Sequence, residues 1–160
     1  MSRFDGSRVW QHLTGDRRPR RTIVAAVVTL VGFASVAFVL GLSVGLYEFW
    51  GWLVIALGIA VGAGVVGAGL VPTVGSLWLI AFWGYVFPPL VGYLGGEWTG
   101  GGRYTHPRML GFAYGSARAE LLGGLETSLT FGLPLAIIIG TVGYVSGTII
   151  DQVRMRVWTE

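Results

Sequence analysis

Three stretches of the chain, residues 22–47, 49–96 and 127–150, contain no charged side chain. As a helix the first rises about 39 Å at 1.5 Å per residue, enough to cross a hydrocarbon core of about 30 Å. The second would rise about 72 Å as one helix, so it must fold back on itself. Pro72 lies near its midpoint, where a helix interior would lose a donor and meet the pyrrolidine ring. The pattern therefore predicts four helical spans, at about 22–46, 50–71, 75–95 and 127–150, with an outer loop at 96–126. Continuous apolar runs of this kind differ from the alternating segments of about ten residues that build a barrel.

Within the loop, residues 107–122 change to a helical pattern. Leu110, Tyr114, Ala117 and Leu121 fall on one face, and Arg108 and Glu120 are expected to stay wet. This predicts an interfacial helix lying on the membrane, with Arg118 opposing deep insertion. The expected fold class is an all-α membrane protein: a four-transmembrane-helix bundle with a short interfacial helix in the outer loop. A basic tail (1–21) precedes it and a short tail (151–160) follows.

Composition agrees with lipid as the solvent. Charged residues make up 12% of the 160 positions and hydrophobic ones 53%, with a mean hydropathy of +0.68. A soluble globule so poor in charge could not cover its surface with polar groups. All eleven basic residues are Arg, and there is no Asn and no Cys. Disulfides, thiolate nucleophiles and N-glycosylation acceptors are thereby excluded.

Arginine placement sets the expected orientation. Arg3, Arg8, Arg17, Arg18, Arg20 and Arg21 lie before the first span, and Arg154 and Arg156 after the last. The outer loop holds Arg103, Arg108 and Arg118 against Glu97, Glu120 and Glu126. An even number of spans places both tails on one side, and the Arg-rich side is cytoplasmic, as in a multi-pass plasma-membrane protein. Glu48 then sits in an outer turn. Trp50, Trp52 and Trp98 fall at the outer interface, Trp10, Trp78 and Trp158 at the inner one, and Trp83 deeper. The first apolar run continues well past Ser35-Val36-Ala37, too far for a cleaved signal peptide.

Helices in lipid associate through small residues. The first span carries Ala34, Ala37, Gly41 and Gly45 in one ridge. The second carries Gly51, Gly58, Gly62 and Gly69 on one face and Ala56, Ala60, Gly64 and Gly67 on the other, which suggests a neighbour on each side. The fourth carries Gly132, Ala136, Gly140, Gly143 and Gly147, opposite a lipid-facing stripe of Leu135, Ile138, Val142, Val145 and Ile149. The pairs Gly41/Gly45, Gly58/Gly62 and Gly143/Gly147 have the spacing of a helix-packing motif, read first as packing within the chain and second as homo-oligomerisation.

Function is far less legible. Pro88-Pro89 and Pro134 interrupt the third and fourth spans and free carbonyls one turn earlier, at Gly84, Tyr85 and Thr130. With Thr141 these residues mark a candidate path or kink region, because broken helices line many transport sites. The hydroxyls of Thr130, Thr141 and Thr148 more commonly bond back to their own helix. The cluster Arg17, Arg18, Arg20 and Arg21 suits anionic lipid headgroups and lacks the folded basic surface of a nucleic-acid binder.

Gly41-Leu42-Ser43-Val44-Gly45 fits the G-x-S-x-G pattern, yet a nucleophile elbow needs a strand-to-helix turn and a nearby His. No metal-ligand spacing and no phosphate loop occurs, so no cofactor, metal or catalytic residue is expected. The spans also lack the buried acid usual in ion-coupled carriers. The reading is a small polytopic membrane protein, structural or partner-binding, contacting the bilayer and either a second copy or another membrane protein. The alternative is an oligomeric channel or transporter subunit with a path near the proline breaks.

Overall fold

A computed structural model describes residue 10 and residues 12–46, 50–100, 102–107 and 114–157. Every regular element among them is helical: α1 (Arg17–Val39), α2 (Gly51–Val65), α3 (Leu70–Gly95), α4 (Ala117–Thr127), a π-helical turn (Ser128–Gly132) and α5 (Leu133–Val157). Three helices are long and apolar enough to cross a membrane, namely α1, α3 and the continuous helix formed by α4, the π turn and α5. The apolar α2, at 15 residues, is shorter. Expectations resting on Arg3, Arg8, Glu48, Arg108, Leu110 and Trp158 lie outside the described residues.

Two helices stop earlier than the apolar pattern suggests, and glycine stereochemistry is the reason. α1 does not run on to Leu46. Gly41 turns left-handed (φ 97°), its N–H bonds the Phe38 carbonyl, and the Leu42 N–H bonds the Ala37 carbonyl. That pair of bonds is a Schellman motif with glycine at the position that needs positive φ. The same device ends α2 at Val65. Gly67 (φ 66°) bonds the Gly64 carbonyl, and Ala68 bonds that of Ala63. The second and third helices are therefore separated at residues 66–69 and not at Pro72. Pro72 sits in the first turn of α3, where an absent N–H removes no helical bond. Gly41 and Gly45 consequently form no helical ridge, and Gly67 and Gly69 leave the face of α2.

The chain forms two compact units. The first gathers the described residues of Met1–Val28, Leu53–Leu77 and Ala136–Glu160. Here Gly140, Gly143 and Gly147 are buried and let α5 come close. A Cβ on Gly143 would meet that of Ala60 at 2.4 Å, and one on Gly147 would stand 2.1 Å from the Val61 carbonyl oxygen. Leu135, at the start of α5, and the four other residues of its apolar stripe are exposed. The segment leading into α1 is fixed rather than trailing. The Asp16 N–H bonds the Gly67 carbonyl, Gly15 lies directly on Ala68 and Gly69, and the Tyr144 hydroxyl donates to the His12 carbonyl. Arg17, Arg18, Arg20 and Arg21 thus belong to the opening turns of α1 and are exposed there.

The second unit gathers the described residues of Thr29–Trp52 and Trp78–Leu135. Its centre is aromatic. Trp83 stacks on Phe87 (5.8 Å between centroids), Phe87 meets Phe38 edge-on, and Trp52 lies 5.4 Å from Trp83. The two buried tryptophans of this cluster find acceptors, Trp83 in the Ser35 hydroxyl and Trp52 in the Val44 carbonyl. Trp83 and Trp52 are both buried against protein, whereas Trp50 is strongly exposed.

Candidate functional site

The proline breaks and the outer loop meet in the second unit. Pro88 and Pro89 lie inside α3 and cancel the helical donors of the Gly84 and Tyr85 carbonyls. Gly124 of α4 packs onto the second of these, since a Cβ there would stand 2.3 Å from the Tyr85 oxygen. Such closeness admits only a Cα–H, itself a weak donor. Gly84 faces the Leu46 side chain. Ahead of Pro134 the helix widens into the π turn, and the Leu133 N–H reaches back to the Ser128 carbonyl. Widening makes room for the proline ring, and the same Ser128 carbonyl also accepts the Trp78 indole N–H (3.1 Å).

Residues 102–107 form a strap pinned at three points. Arg103 stacks over Phe38 (4.6 Å to the ring centroid) and donates to the Phe38 carbonyl, in the last turn of α1. A cation there complements the negative end of the helix dipole. Tyr104 donates its hydroxyl to Glu97 (2.7 Å). That bond, with lesser contributions from burial and the carboxylate charge, raises the phenol pKa above its ordinary 10.0.

His106 is buried, and so is Glu120, whose exposure is 0%. One Glu120 oxygen accepts the His106 backbone N–H (2.9 Å) and lies 2.7 Å from Nδ1. The same Glu120 oxygen thus holds both the backbone and the ring of His106.

Glu120 is therefore not the wet residue of an interfacial helix. Helix α4 starts only at Ala117, behind the Ser116 N-cap, and runs on through the π turn into α5. Tyr114 precedes it and packs by the His106 ring. Sequence spacing gave no sign of the His106–Glu120 pair, because the two lie fourteen positions apart, beyond any single-helix spacing. The Ser116 cap was the available signal for where α4 begins.

Beside the strap lies an open pocket of about 170 Å³ between Phe38, Leu46, Gly84, Pro88, Arg103 and Thr105. Gly84, Tyr85, Pro88 and Pro89 are all buried. Thr130 and Pro134 are exposed, whereas Gly132 between them is buried against Ala81 and Tyr85. The two proline breaks thus do not line a common surface. Thr130 donates to the Glu126 carbonyl, Thr148 to Val145 and Ser146 to Val142, each on its own helix. Thr141 is half-buried in the first unit.

Gly58 and Gly62 in α2 have open space where a Cβ would stand. Among the described residues no three His, Asp or Glu side chains gather as a metal site. The chain has no strand among those residues to support a nucleophile elbow at Ser43. No protein-family model, curated protein or solved structure matches this chain.

Proposed function

We propose that the chain is a four-span membrane protein with both termini cytoplasmic, serving as a structural, partner-binding subunit. One observation carries the partner: α2 is smooth on two sides and only one of them is filled. Ala60, Ala63 and Gly64 are buried within the first unit, while a Cβ at Gly58 or Gly62, with exposed Leu53, Val54 and Leu57 nearby, would meet nothing within 4 Å among the described residues. A Gly-x-x-x-Gly surface lets a second helix backbone approach closely in lipid. The occupant we assign is a transmembrane helix of a second copy or of another membrane protein. The first-turn arginines of α1 suit the cytoplasmic headgroup level. No enzymatic role is assigned.

The chain lacks Cys, so Gly58→Cys introduces a single thiol for oxidative cross-linking in native membranes. A cross-linked dimer, or one defined heavier adduct, is expected; monomer alone at both Gly58→Cys and Gly62→Cys would remove the proposal. A channel or transporter role is the second reading, and the pocket reaching Gly84 and Pro88 favours it. The back-bonded hydroxyls of the long helices oppose it. Thiol labelling through 83–91 and 130–141, with Thr105→Cys as the surface control, separates the two. A water-filled path labels a stripe of deep positions, whereas a dry protein labels only the control.

A further inference from the structure

We propose that the pocket beside Arg103 binds a small organic carboxylate. The inference is independent of the helix-face reading above and rests on charge, donors and size. Among the described residues Arg103 makes no ion pair. The two loop carboxylates near it in sequence are already engaged by the residues that follow it. Glu97 accepts from Tyr104, and Glu120 accepts from His106. Arg103 is thus left as an exposed cation lining the pocket.

Capping α1 does not exhaust it. Its bond to the Phe38 carbonyl uses one of five guanidinium N–H donors, and the fork geometry matches a carboxylate. The pocket wall sets the apolar side chains of Phe38, Leu46 and Pro88 against the polar ones of Arg103 and Thr105. A ring under the guanidinium holds its plane in place. At about 170 Å³ the pocket is smaller than the roughly 300 Å³ at which drug-sized sites begin. The ligand that fits has one carboxylate and a short apolar tail.

The test uses the full chain in nanodiscs, with propionate as probe, propionamide as its neutral isostere, and chloride to hold ionic strength constant. Saturable binding is read by Trp fluorescence and by calorimetry. Propionate is expected to bind and propionamide not to. Arg103→Gln should weaken binding on the order of tenfold or more, the range for a lost charge-assisted bond. Arg103→Lys keeps the charge and a donor for Phe38 but loses the fork, and should weaken binding by a smaller factor. Because the Lys variant preserves the helix cap, it remains informative if Arg103→Gln fails to fold. Equal response to propionate and propionamide, or unchanged affinity in folded Arg103→Lys and Arg103→Gln, overturns the proposal.

Discussion

Gly124 rests on the Tyr85 carbonyl so closely that a methyl group would stand 2.3 Å from the oxygen. The contact joins the start of the α4–α5 helix to the carbonyl that Pro89 strips of its helical donor. Gly124→Ala must push the two segments apart, and overpacking of this kind costs about 1–3 kcal/mol. Denaturant titration in mixed micelles should show the loss. Unchanged stability would mean the two segments are not in contact.

Glycines of equal helical standing should respond oppositely to one extra methyl. Gly147→Ala drives a Cβ into the Val61 carbonyl, while Gly62→Ala meets nothing within 4 Å. The first should destabilise by about 1–3 kcal/mol. The second should be neutral or stabilising by about 0.5–1 kcal/mol in the isolated chain, because Ala is the better helix former. Any cross-linked assembly through α2 should weaken in Gly62→Ala even as the subunit gains stability.

The two left-handed helix stops make a separate prediction. Gly67→Ala forces an L side chain into positive φ, with no steric neighbour to blame. The strain is about 1–2 kcal/mol. A shift in thermal midpoint without loss of helical circular dichroism is the expected signature.

Removing the Glu120 carboxylate should be severe or mild according to what replaces it. Glu120→Ala removes the buried oxygen that both the backbone N–H and Nδ1 of His106 contact, at about 1–3 kcal/mol for each lost contact. Glu120→Gln retains a carbonyl oxygen in the same place and should cost less. Equal losses for the two variants would show that volume, and not hydrogen bonding, fixes the strap.

Tyr104 supplies the pH dependence. Its phenol pKa is raised in the fold, first by the bond to Glu97. A raised value means that the folded state holds the proton more firmly. The associated stability is complete below pH 10.0 and is lost as pH rises through the folded value. Phenolate absorbance, taken as the difference between the unaltered chain and Tyr104→Phe, should titrate above 10.0. Glu97→Gln should move that titration downward. The bond to Glu97 lies at the exposed surface, so little stability is at stake.

Reading the sequence located the long apolar helices, because an uninterrupted charge-free run has few other physical interpretations. It placed helix ends poorly. In a chain with 27 glycines, Gly41 and Gly67 look no different from Gly58 or Gly62, and only the backbone hydrogen bonds separate a stop from a packing surface. Pro72 drew the break toward itself because a mid-helix proline is disruptive, but a first-turn proline is not. Glu120 escaped because burial of a carboxylate depends on a donor from a distant part of the chain. The Arg103 pocket was invisible for the same reason, since its walls come from α1, the segment after it, α3 and the strap.

The left-handed turn at Gly67 also fixes how far α2 can reach. Fifteen residues rise about 22 Å, against a hydrocarbon thickness of about 30 Å. In the proposed four-span arrangement the bilayer meets two different hydrophobic lengths, a full one at α1 and α3 and a short one at α2. It must thin locally beside α2, or let a companion helix stand between α2 and the lipid. The stop at Gly67 thereby leaves α2 shorter than both α1 and α3, its neighbours in sequence.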